Sequence, residues 1–262
     1  MDYINKKKYM GPLQVQILAN LERSKKRSAS FNDIVDMAPG TSRQTLRNTL
    51  SKMVRKKLIH RIKKGKYLIV PFTEEDYTLH DFAMAHEIHP SGYISFSSAL
   101  QYYGLTDQLP RKLQIVTPTP AKSRQFQETK YQTIHLSKRF YTGYEKIHFA
   151  KTEINMALKE KAILDCLMHP KYCGGIGEAC KALKQAFRNI NWKTIRHLLA
   201  KMHNSALERR LYYGLDFIKK KNPLPKKTFD GYRKLDPGLP PRGKYDSKYG
   251  LLINTDLEEE MR

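Results

Sequence analysis

Four neighbouring side chains in this 262-residue chain carry hydrogen-bonding groups of the kind that read base pairs in DNA. They are Arg43, Gln44, Arg47 and Asn48. A guanidinium can donate two hydrogen bonds to guanine, and a side-chain amide can both donate to and accept from adenine. Their spacing places them in the first turns of a single helix, so we predict that they contact base edges.

A second set of residues around these four could contact the phosphate backbone. Between Arg43 and Lys66 the chain has ten Lys and Arg and no acidic residue, an excess that attracts polyanions. The residues predicted to contact phosphate are Ser42, Ser51, Lys52, Arg55, Arg61, Lys63, Lys64 and Lys66. Such a stretch can also be no more than a solvated charged face, but the order of the surrounding elements favours DNA binding.

Local patterns predict the elements that must position these residues. Ser42 is a good N-cap for a helix that starts at the next residue. The core-facing side of this helix consists of apolar residues at helical spacing: Leu46, Leu50, Met53 and Val54. After it, residues 58–62 and 67–70 are predicted to form two strands joined by a basic turn at 63–66.

Two further helices are predicted before this unit. Pro12 favours the first turn of a helix, where its missing N–H costs nothing, and apolar residues continue at helical spacing to Leu21. Ser30 and Asp33 have the spacing of a capping box, which would start a short helix ending near Met37. Two helices, a third with a polar face and a basic hairpin predict a winged helix-turn-helix domain.

Charge and amino-acid composition limit the classes of protein to which this chain can belong. The formal net charge is +23, and residues 1–70 carry 17 basic and 4 acidic residues, so the excess is concentrated there. This favours a nucleic-acid partner. Three cysteines give no disulfide framework, and no stretch approaches the roughly 20 apolar residues of a membrane span. The first residues lack the apolar core of a signal peptide, so we expect a cytoplasmic protein with no membrane partner.

The remainder of the chain predicts a second, mixed domain after an acidic connector at 71–79. We expect an α+β fold overall, with three parts: a winged helix-turn-helix domain at 1–72, a mixed α/β domain with a small sheet and several helices at 80–220, and a basic extension at 221–262. The predicted strands span 113–117, 131–136, 146–149 and 249–254, the last of which could close the sheet. The predicted helices cover 79–89, a segment from Ser95 or Ser97 to Gly104, the region from Glu153 onward, 177–187, 192–203 and 206–220.

The C-terminal extension has two interpretations that the sequence leaves open. Residues 219–248 hold ten basic and three acidic residues together with several Pro and Gly. This composition is typical of a solvated, partly extended tail, and it equally suits a second contact with nucleic acid.

Several short motifs resemble the AbiEi-type antitoxins of type IV toxin–antitoxin (abortive infection) systems. The matching segments are Gly92-Tyr93-Ile94-Ser95, Ser98-Ala99-Leu100, Tyr103-Gly104-Leu105-Thr106-Asp107-Gln108, Glu160-Lys161-Ala162-Ile163-Leu164-Asp165 and Gly174-Gly175-Ile176. The resemblance covers most of residues 10–220 and depends on the order and spacing of these segments. The same residues also suit purely structural roles, with Gly104 ending a helix and Lys161 and Asp165 forming an i,i+4 pair.

This resemblance implies a transcriptional regulator with two activities, used in phage defence. Its N-terminal domain would bind double-stranded operator DNA, as a homodimer on inverted repeats, and repress its own operon. Its C-terminal domain would act as the antitoxin that counteracts a nucleotidyltransferase toxin.

An alternative of a different class is a metal-dependent nuclease targeted by the winged helix. Asp107 and Glu128 could hold Mg²⁺ while Lys130 polarises the attacking water. In a chain with 28% charged residues such a pattern arises easily, so we expect a protein that is not an enzyme.

Two other groups of residues could in principle form sites. Lys161, Asp165 and His169 share a helical face and could exchange protons, but the spacing favours an ordinary surface ion pair. The sulfur and imidazole groups of Cys166, His169, Cys173 and Cys180 match no common zinc pattern. We therefore predict no catalytic residue, no cofactor and no metal.

Overall fold

The computed structural model describes residues 10–69, 80–149 and 152–261. Helices and strands are both abundant, which confirms the α+β class. The chain divides between His80 and Asp81 into two compact units. The acidic connector predicted at 71–79 lies outside the described residues.

The first unit consists of three helices and a small antiparallel sheet. Its helices are α1 (Pro12–Arg23), α2 (Phe31–Met37) and α3 (Arg43–Arg55). Its strands are β1 (Ser28–Ser30), β2 (Ile59–Lys63) and β3 (Lys66–Ile69), in the order β1-β3-β2. The sequence did not predict β1. This strand is only three residues long, and two helices separate it along the chain from β3, with which it pairs.

Side-chain caps fix where α2 and α3 begin. The hydroxyl of Ser30 accepts a hydrogen bond from the Asp33 amide (3.1 Å), and the Asp33 carboxylate accepts one from the Ser30 amide (2.7 Å). The predicted capping box is therefore confirmed, with Asp in the place of the usual Glu. Ser42 caps α3 by accepting from the amide of Thr45 at 3.1 Å.

A single apolar core joins the three helices to the sheet. The predicted stripe of α3 is largely buried, with Leu46, Leu50 and Met53 at 0% exposure and Val54 half-buried at its margin. Burial of a large apolar side chain contributes about 1.5–3 kcal/mol, so the stripe fixes the rotation of α3 about its axis. The opposite, polar face of α3 must consequently point outward.

The second unit is built on a six-stranded mixed sheet with the order β6-β7-β5-β4-β9-β8. The strands are β4 (Tyr93–Ile94), β5 (Leu113–Thr117), β6 (Arg124–Phe126), β7 (Thr129–His135), β8 (Tyr144–Phe149) and β9 (Thr152–Ala157). β5 pairs in parallel with β7 and antiparallel with β4, whereas β4 and β9 are parallel.

The prediction of a helix from Glu153 onward is wrong for its first residues. Thr152, Ile154 and Met156 are buried in alternation along β9, the period of a strand. A true helix begins two residues after β9 ends, and the apolar residues spread along this stretch suit either element.

Helices surround one central, almost wholly buried helix in the second unit. The helices are α4 (Asp81–Ile88), α5 (Phe96–Tyr102), α6 (Lys159–Met168), α7 (Ile176–Ala186), α8 (Trp192–Met202) and α9 (Ser205–Phe217). α6 packs against α5, α7, α8 and α9, and every residue from Glu160 to Met168 is buried. The polar groups on this helix therefore need partners within the protein.

The C-terminal residues belong to the second unit and form strands and a short helix there, although most side chains between residues 225 and 248 are exposed. They form the strands β10 (Arg233–Lys234), β11 (Lys244–Asp246) and β12 (Leu251–Ile253) and the helix α10 (Leu257–Glu260). These strands make a separate sheet in the order β10-β12-β11, so the last strand does not close the main sheet. The carboxylate of Glu260 accepts a hydrogen bond from the amide of Gly177 at the start of α7 (2.7 Å).

The buried side chain of Arg210 attaches this C-terminal segment to the helices. The guanidinium of Arg210 donates to the carbonyl oxygens of Leu167 (3.2 Å) and Met168 (3.1 Å) at the end of α6. It also donates to Lys234 (3.1 Å) and Leu235 (2.8 Å) in and after β10. Burial lowers the pKa of Arg210 to about 10, which still leaves the guanidinium charged at neutral pH.

In the parts of the chain that the structure describes, no helix has both the length and the apolar character needed to cross a membrane.

Candidate functional site

The outward face of α3 carries the four residues predicted to contact bases. Arg43, Gln44, Arg47 and Asn48 are all exposed. The Gln44 Nε2 donates to the Asn48 Oδ1 at 3.2 Å, which joins the two amides one helical turn apart. The pair still offers the amino group of Asn48 and the carbonyl oxygen of Gln44, a donor and an acceptor side by side. This combination complements the N7 acceptor and N6 donor of adenine.

The two arginines of α3 both contact the ring of Phe31, a residue that the sequence did not identify as functional. The guanidinium carbons of Arg43 and Arg47 lie 5.2 and 5.3 Å from the centre of the Phe31 ring. Arg43 also donates to the side-chain oxygen of Asn32 at 3.0 Å. Cation–π contacts of this kind restrict the rotamers of long side chains. Both arginines are therefore partly ordered before any ligand arrives.

The same phenylalanine joins the basic hairpin to α3. The Phe31 amide donates to the carbonyl oxygen of Gly65 in the hairpin turn at 2.7 Å. Gly65 has a φ of 73°, a left-handed conformation that suits glycine in a tight turn. The β2–β3 register shifts between Arg61 and Lys63, so the hairpin carries a bulge next to its tip. The turn lysines are consequently held beside the start of α2 and near the arginines of α3.

The residues predicted to contact phosphate differ in how available they are. Lys52, Arg55, Arg61 and Lys64 are exposed, whereas Lys63 and Lys66 are half-buried. The exposed serines have local partners: Ser51 donates to the carbonyl oxygen of Arg47 (2.9 Å), and Ser42 caps α3. The basic side chains are therefore better suited to phosphate than the two serines.

A second polar cluster lies in the centre of the second unit, and two of the segments that carry the antitoxin resemblance meet there. Lys161 and Asp165 of α6 form an ion pair, and both side chains are 0% exposed. The Lys161 ammonium also donates to the Tyr93 hydroxyl (3.0 Å). The Ser95 hydroxyl donates to the second oxygen of Asp165 (2.7 Å). The expectation of a surface ion pair is wrong, because neighbouring helices and the sheet cover this face of α6.

Burial dominates the electrostatics of this cluster. It lowers the pKa of Lys161, an effect that Asp165 partly opposes, and it raises the pKa of Tyr93 well above the usual range. His169, the third residue of the predicted trio, has a pKa that burial also lowers, and its ring lies 6.4 Å from that of Phe96. Because solvent does not reach the ion pair, the cluster joins β4 to α6 without exposing a reactive group.

The three residues of the nuclease alternative lie on different elements. Asp107 is exposed in the loop after α5, and Glu128 is exposed in the turn between β6 and β7. Lys130 follows on β7. Across the described residues, no three His, Cys, Asp or Glu side chains are grouped in a way that could hold a metal ion.

The cysteines near α6 are packed in the core. Cys166, Cys173 and Cys180 are buried and unpaired as disulfides. The Cys173 thiol donates to the carbonyl oxygen of Pro170 (3.3 Å). Burial raises the pKa of Cys180 to about 12, which keeps its thiol protonated at neutral pH.

Comparisons with known proteins give a likeness in fold. No family model matches the sequence, and no curated protein is significantly similar to it. Among solved structures, the chain is similar to the crystal structure of the RV2827C protein from Mycobacterium tuberculosis, with a TM-score of 0.63 over 93% of this chain and 92% of that one. The two chains share 12% sequence identity, so the similarity concerns the fold alone.

Proposed function

We propose that this protein is a DNA-binding transcriptional regulator whose first unit is a winged helix-turn-helix. In this proposal α3 enters the major groove and the β2–β3 hairpin is the wing. The observation that carries the proposal is the arrangement around Phe31, whose ring holds Arg43 and Arg47 while its amide holds the hairpin turn at Gly65. Base-reading groups and a basic hairpin then form one continuous surface.

Charge supports the same function. The segment from Arg43 to Lys66 has no acidic residue, so nothing within it would repel phosphate. Contacts between lysine or arginine and phosphate give most of the affinity of such proteins, whereas base contacts give the specificity. The amide pair of Gln44 and Asn48 is suited to the second role.

The biological role that we propose follows from the resemblance to AbiEi-type antitoxins. The protein would be cytoplasmic, bind inverted repeats as a homodimer and repress its own operon. Its second unit would counteract a nucleotidyltransferase toxin through its surface, without catalysis. The ion pair of Lys161 and Asp165 is completely buried, which supports a structural role for the motif residues in that unit.

The decisive experiment compares operator and random DNA. Asn48→Ala should weaken binding to the duplex upstream of the protein's own gene by roughly 1–3 kcal/mol, and leave binding to random duplex nearly unchanged. Fluorescence anisotropy at fixed salt measures both affinities. Gln16→Ala is the matched control, because Gln16 is an exposed amide on α1 outside the proposed interface. Equal losses on both duplexes would remove Asn48 from base recognition, and wild-type protein that binds neither duplex would end the proposal.

A further inference from the structure

Two exposed tyrosine rings lie side by side on the C-terminal sheet of β10, β12 and β11. Tyr245 of β11 is 67% exposed, and Tyr232, the residue before β10, is 46% exposed. The centres of the two rings lie 4.6 Å apart, with an angle of 63° between their planes. Clustered aromatic groups on a surface, unlike single exposed ones, mark an interaction site.

Strand register places these rings on the outer face of the C-terminal sheet. Leu252 of the central strand β12 pairs with Tyr245 on one side and with Lys234 on the other, so the three side chains share one face. The preceding residue, Leu251, points to the opposite face and is fully buried. Because the ring of Tyr232 contacts that of Tyr245, it extends the same outer surface.

Hydrogen bonds fix the backbone that carries both rings. The amide of Arg233 donates to the carbonyl oxygen of Gly250 (3.0 Å). The carbonyl oxygen of Gly231 accepts from the buried guanidinium of Arg209 (2.6 Å). Tyr232 is therefore held on both sides, and the other tyrosine lies in the middle of a paired strand. Rings on a fixed backbone lose little conformational freedom when a ligand binds.

Positive charge accompanies the two rings. Lys234 lies on the same face as Tyr245, and its ammonium donates to the carbonyl oxygen of Leu239 (2.8 Å). Three further cations are exposed on the two edge strands and in the turn before β11: Arg233, Lys244 and Arg242. None of the ion pairs among the described residues involves any of these four cations. Since the two edge strands are two interstrand spacings apart, roughly 10 Å, a polyanion that crosses the sheet meets cations at both edges.

The carboxylates of this stretch do little to neutralise that charge. Asp236 accepts a hydrogen bond from the amide two residues later (2.7 Å), and Asp246 accepts one from the amide three residues later (3.0 Å). Burial lowers the pKa of Arg209, and the charge of Asp230 partly opposes this effect, so that carboxylate acts on a buried guanidinium. The excess of positive charge at the rings therefore remains available to a ligand.

We propose that Tyr232 and Tyr245 form a stacking platform for the bases of single-stranded nucleic acid. Every base has a π-face that stacks on an aromatic ring, and nearby cations attract the phosphates that join the bases. A duplex exposes only the edges of its bases in the grooves, so a ring on the protein surface cannot stack on them. Protein interfaces also bury tyrosine, but the excess of positive charge favours a polyanion. The inference goes beyond the proposed function, because the platform lies in the second unit and uses no residue of α3 or of the basic hairpin.

The test uses the full chain and two fluorescent single strands of equal length. One strand is an oligothymidylate, and the other consists of abasic nucleotides, so it carries the same phosphates without bases. Fluorescence anisotropy at fixed salt should show that wild-type protein binds the oligothymidylate at least about fivefold more tightly than the abasic strand. Since the two strands have the same charge, this ratio separates stacking from the electrostatic attraction of a chain with a net charge of +23.

Substitution of each ring should change this ratio. Tyr245→Ala and Tyr232→Ala should each bring it close to one, and neither should change the affinity for the abasic strand, because neither removes a charge. Tyr245→Phe retains the ring and should retain the preference. Tyr102→Ala is the matched control, since Tyr102 is another exposed tyrosine (39%) and lies at the end of α5, outside the C-terminal sheet. Thermal unfolding of every variant verifies that it is folded.

Three outcomes overturn the proposal. In the first, wild-type protein binds the two single strands equally, or the preference for bases persists in both alanine variants of the platform. In the second, Tyr102→Ala reduces the preference as much as Tyr245→Ala. In the third, Tyr245→Ala weakens binding to a random duplex as much as binding to the oligothymidylate, which would assign the ring to a contact that needs no unpaired base.

Discussion

Lys161 and Asp165 form an ion pair from which solvent is wholly excluded. The two residues lie one turn apart on the same helix, a spacing from which the sequence predicts a surface pair. Tyr93 and Ser95 supply the remaining hydrogen bonds from β4 and from the residue before α5. A buried pair of this kind is costly to break, because removal of one partner leaves the other charge without compensation.

We therefore expect Asp165→Asn to lower the free energy of unfolding by about 3–5 kcal/mol. Urea denaturation followed by circular dichroism measures the loss. The double variant Lys161→Met, Asp165→Leu removes both charges and should recover most of the stability. A double variant as unstable as the single one would show that the contacts with Tyr93 and Ser95 matter more than charge balance.

The capping box of α2 gives a prediction about acid stability. The hydrogen bonds from Ser30 are the main cause that lowers the pKa of Asp33 from 3.8 to about 2. Since the folded-state pKa is the lower one, the stabilisation is complete above pH 3.8 and is lost as the pH falls towards 2. Asp33→Asn should destabilise the first unit by about 1 kcal/mol at neutral pH, and by progressively less across that window. Thermal unfolding at several pH values measures this, with Asp36→Asn, an exposed change on the same helix, as the control.

The basic hairpin should contribute affinity without specificity. Replacement of Lys63, Lys64 and Lys66 by Ala should weaken binding to all duplexes alike, and lower the salt slope by about 0.9 for each phosphate that the variant no longer neutralises. Binding isotherms at several salt concentrations give the slope. A charge-matched control replaces three exposed lysines of the second unit: Lys184, Lys193 and Lys201. An unchanged slope in the hairpin variant would mean that the hairpin does not contact DNA.

The two proposed activities should separate when the chain is cut in the connector. Each unit has its own buried core, so fragments 1–72 and 80–262 should both fold. The first should bind operator DNA more weakly than the full chain, because it loses pairing across two half-sites. The second should protect against a cognate toxin and lose repression. Co-expression of each fragment with the neighbouring toxin gene tests this separation, with growth and promoter output scored independently. A second fragment that is folded but gives no protection would refute the antitoxin role.

Arg210 should be essential for the attachment of the C-terminal residues. Arg210→Ala leaves carbonyl oxygens at the end of α6 and around β10 without their donor, so we expect a loss of more than about 3 kcal/mol in unfolding free energy. Limited proteolysis should then cleave the chain after α9. Arg210→Lys should rescue little, because an ammonium cannot match the planar array of donors. Rescue by lysine would mean that charge alone holds the segment.

The sequence by itself determined the elements whose signals are local. Ser42 caps α3 and the spacing of Leu46, Leu50 and Met53 sets its buried side, so both the helix and its polar face could be predicted from one stretch of chain. The capping box of Ser30 and Asp33 is equally local. The formation of a first helix turn depends on residues within three or four positions, and these are visible in the sequence.

Tertiary structure decided what depends on distant partners. Tyr93 lies 68 residues from Lys161, so no local pattern could show that this ion pair is buried. β9 gains its strand geometry from pairing with β8 and β4, which overrides an apolar pattern that also suits a helix. Phe31 acquires its role only when the Gly65 turn and the arginines of α3 close around it. In each case long-range pairing places the groups side by side, and sequence periodicity reports only on neighbours along the chain.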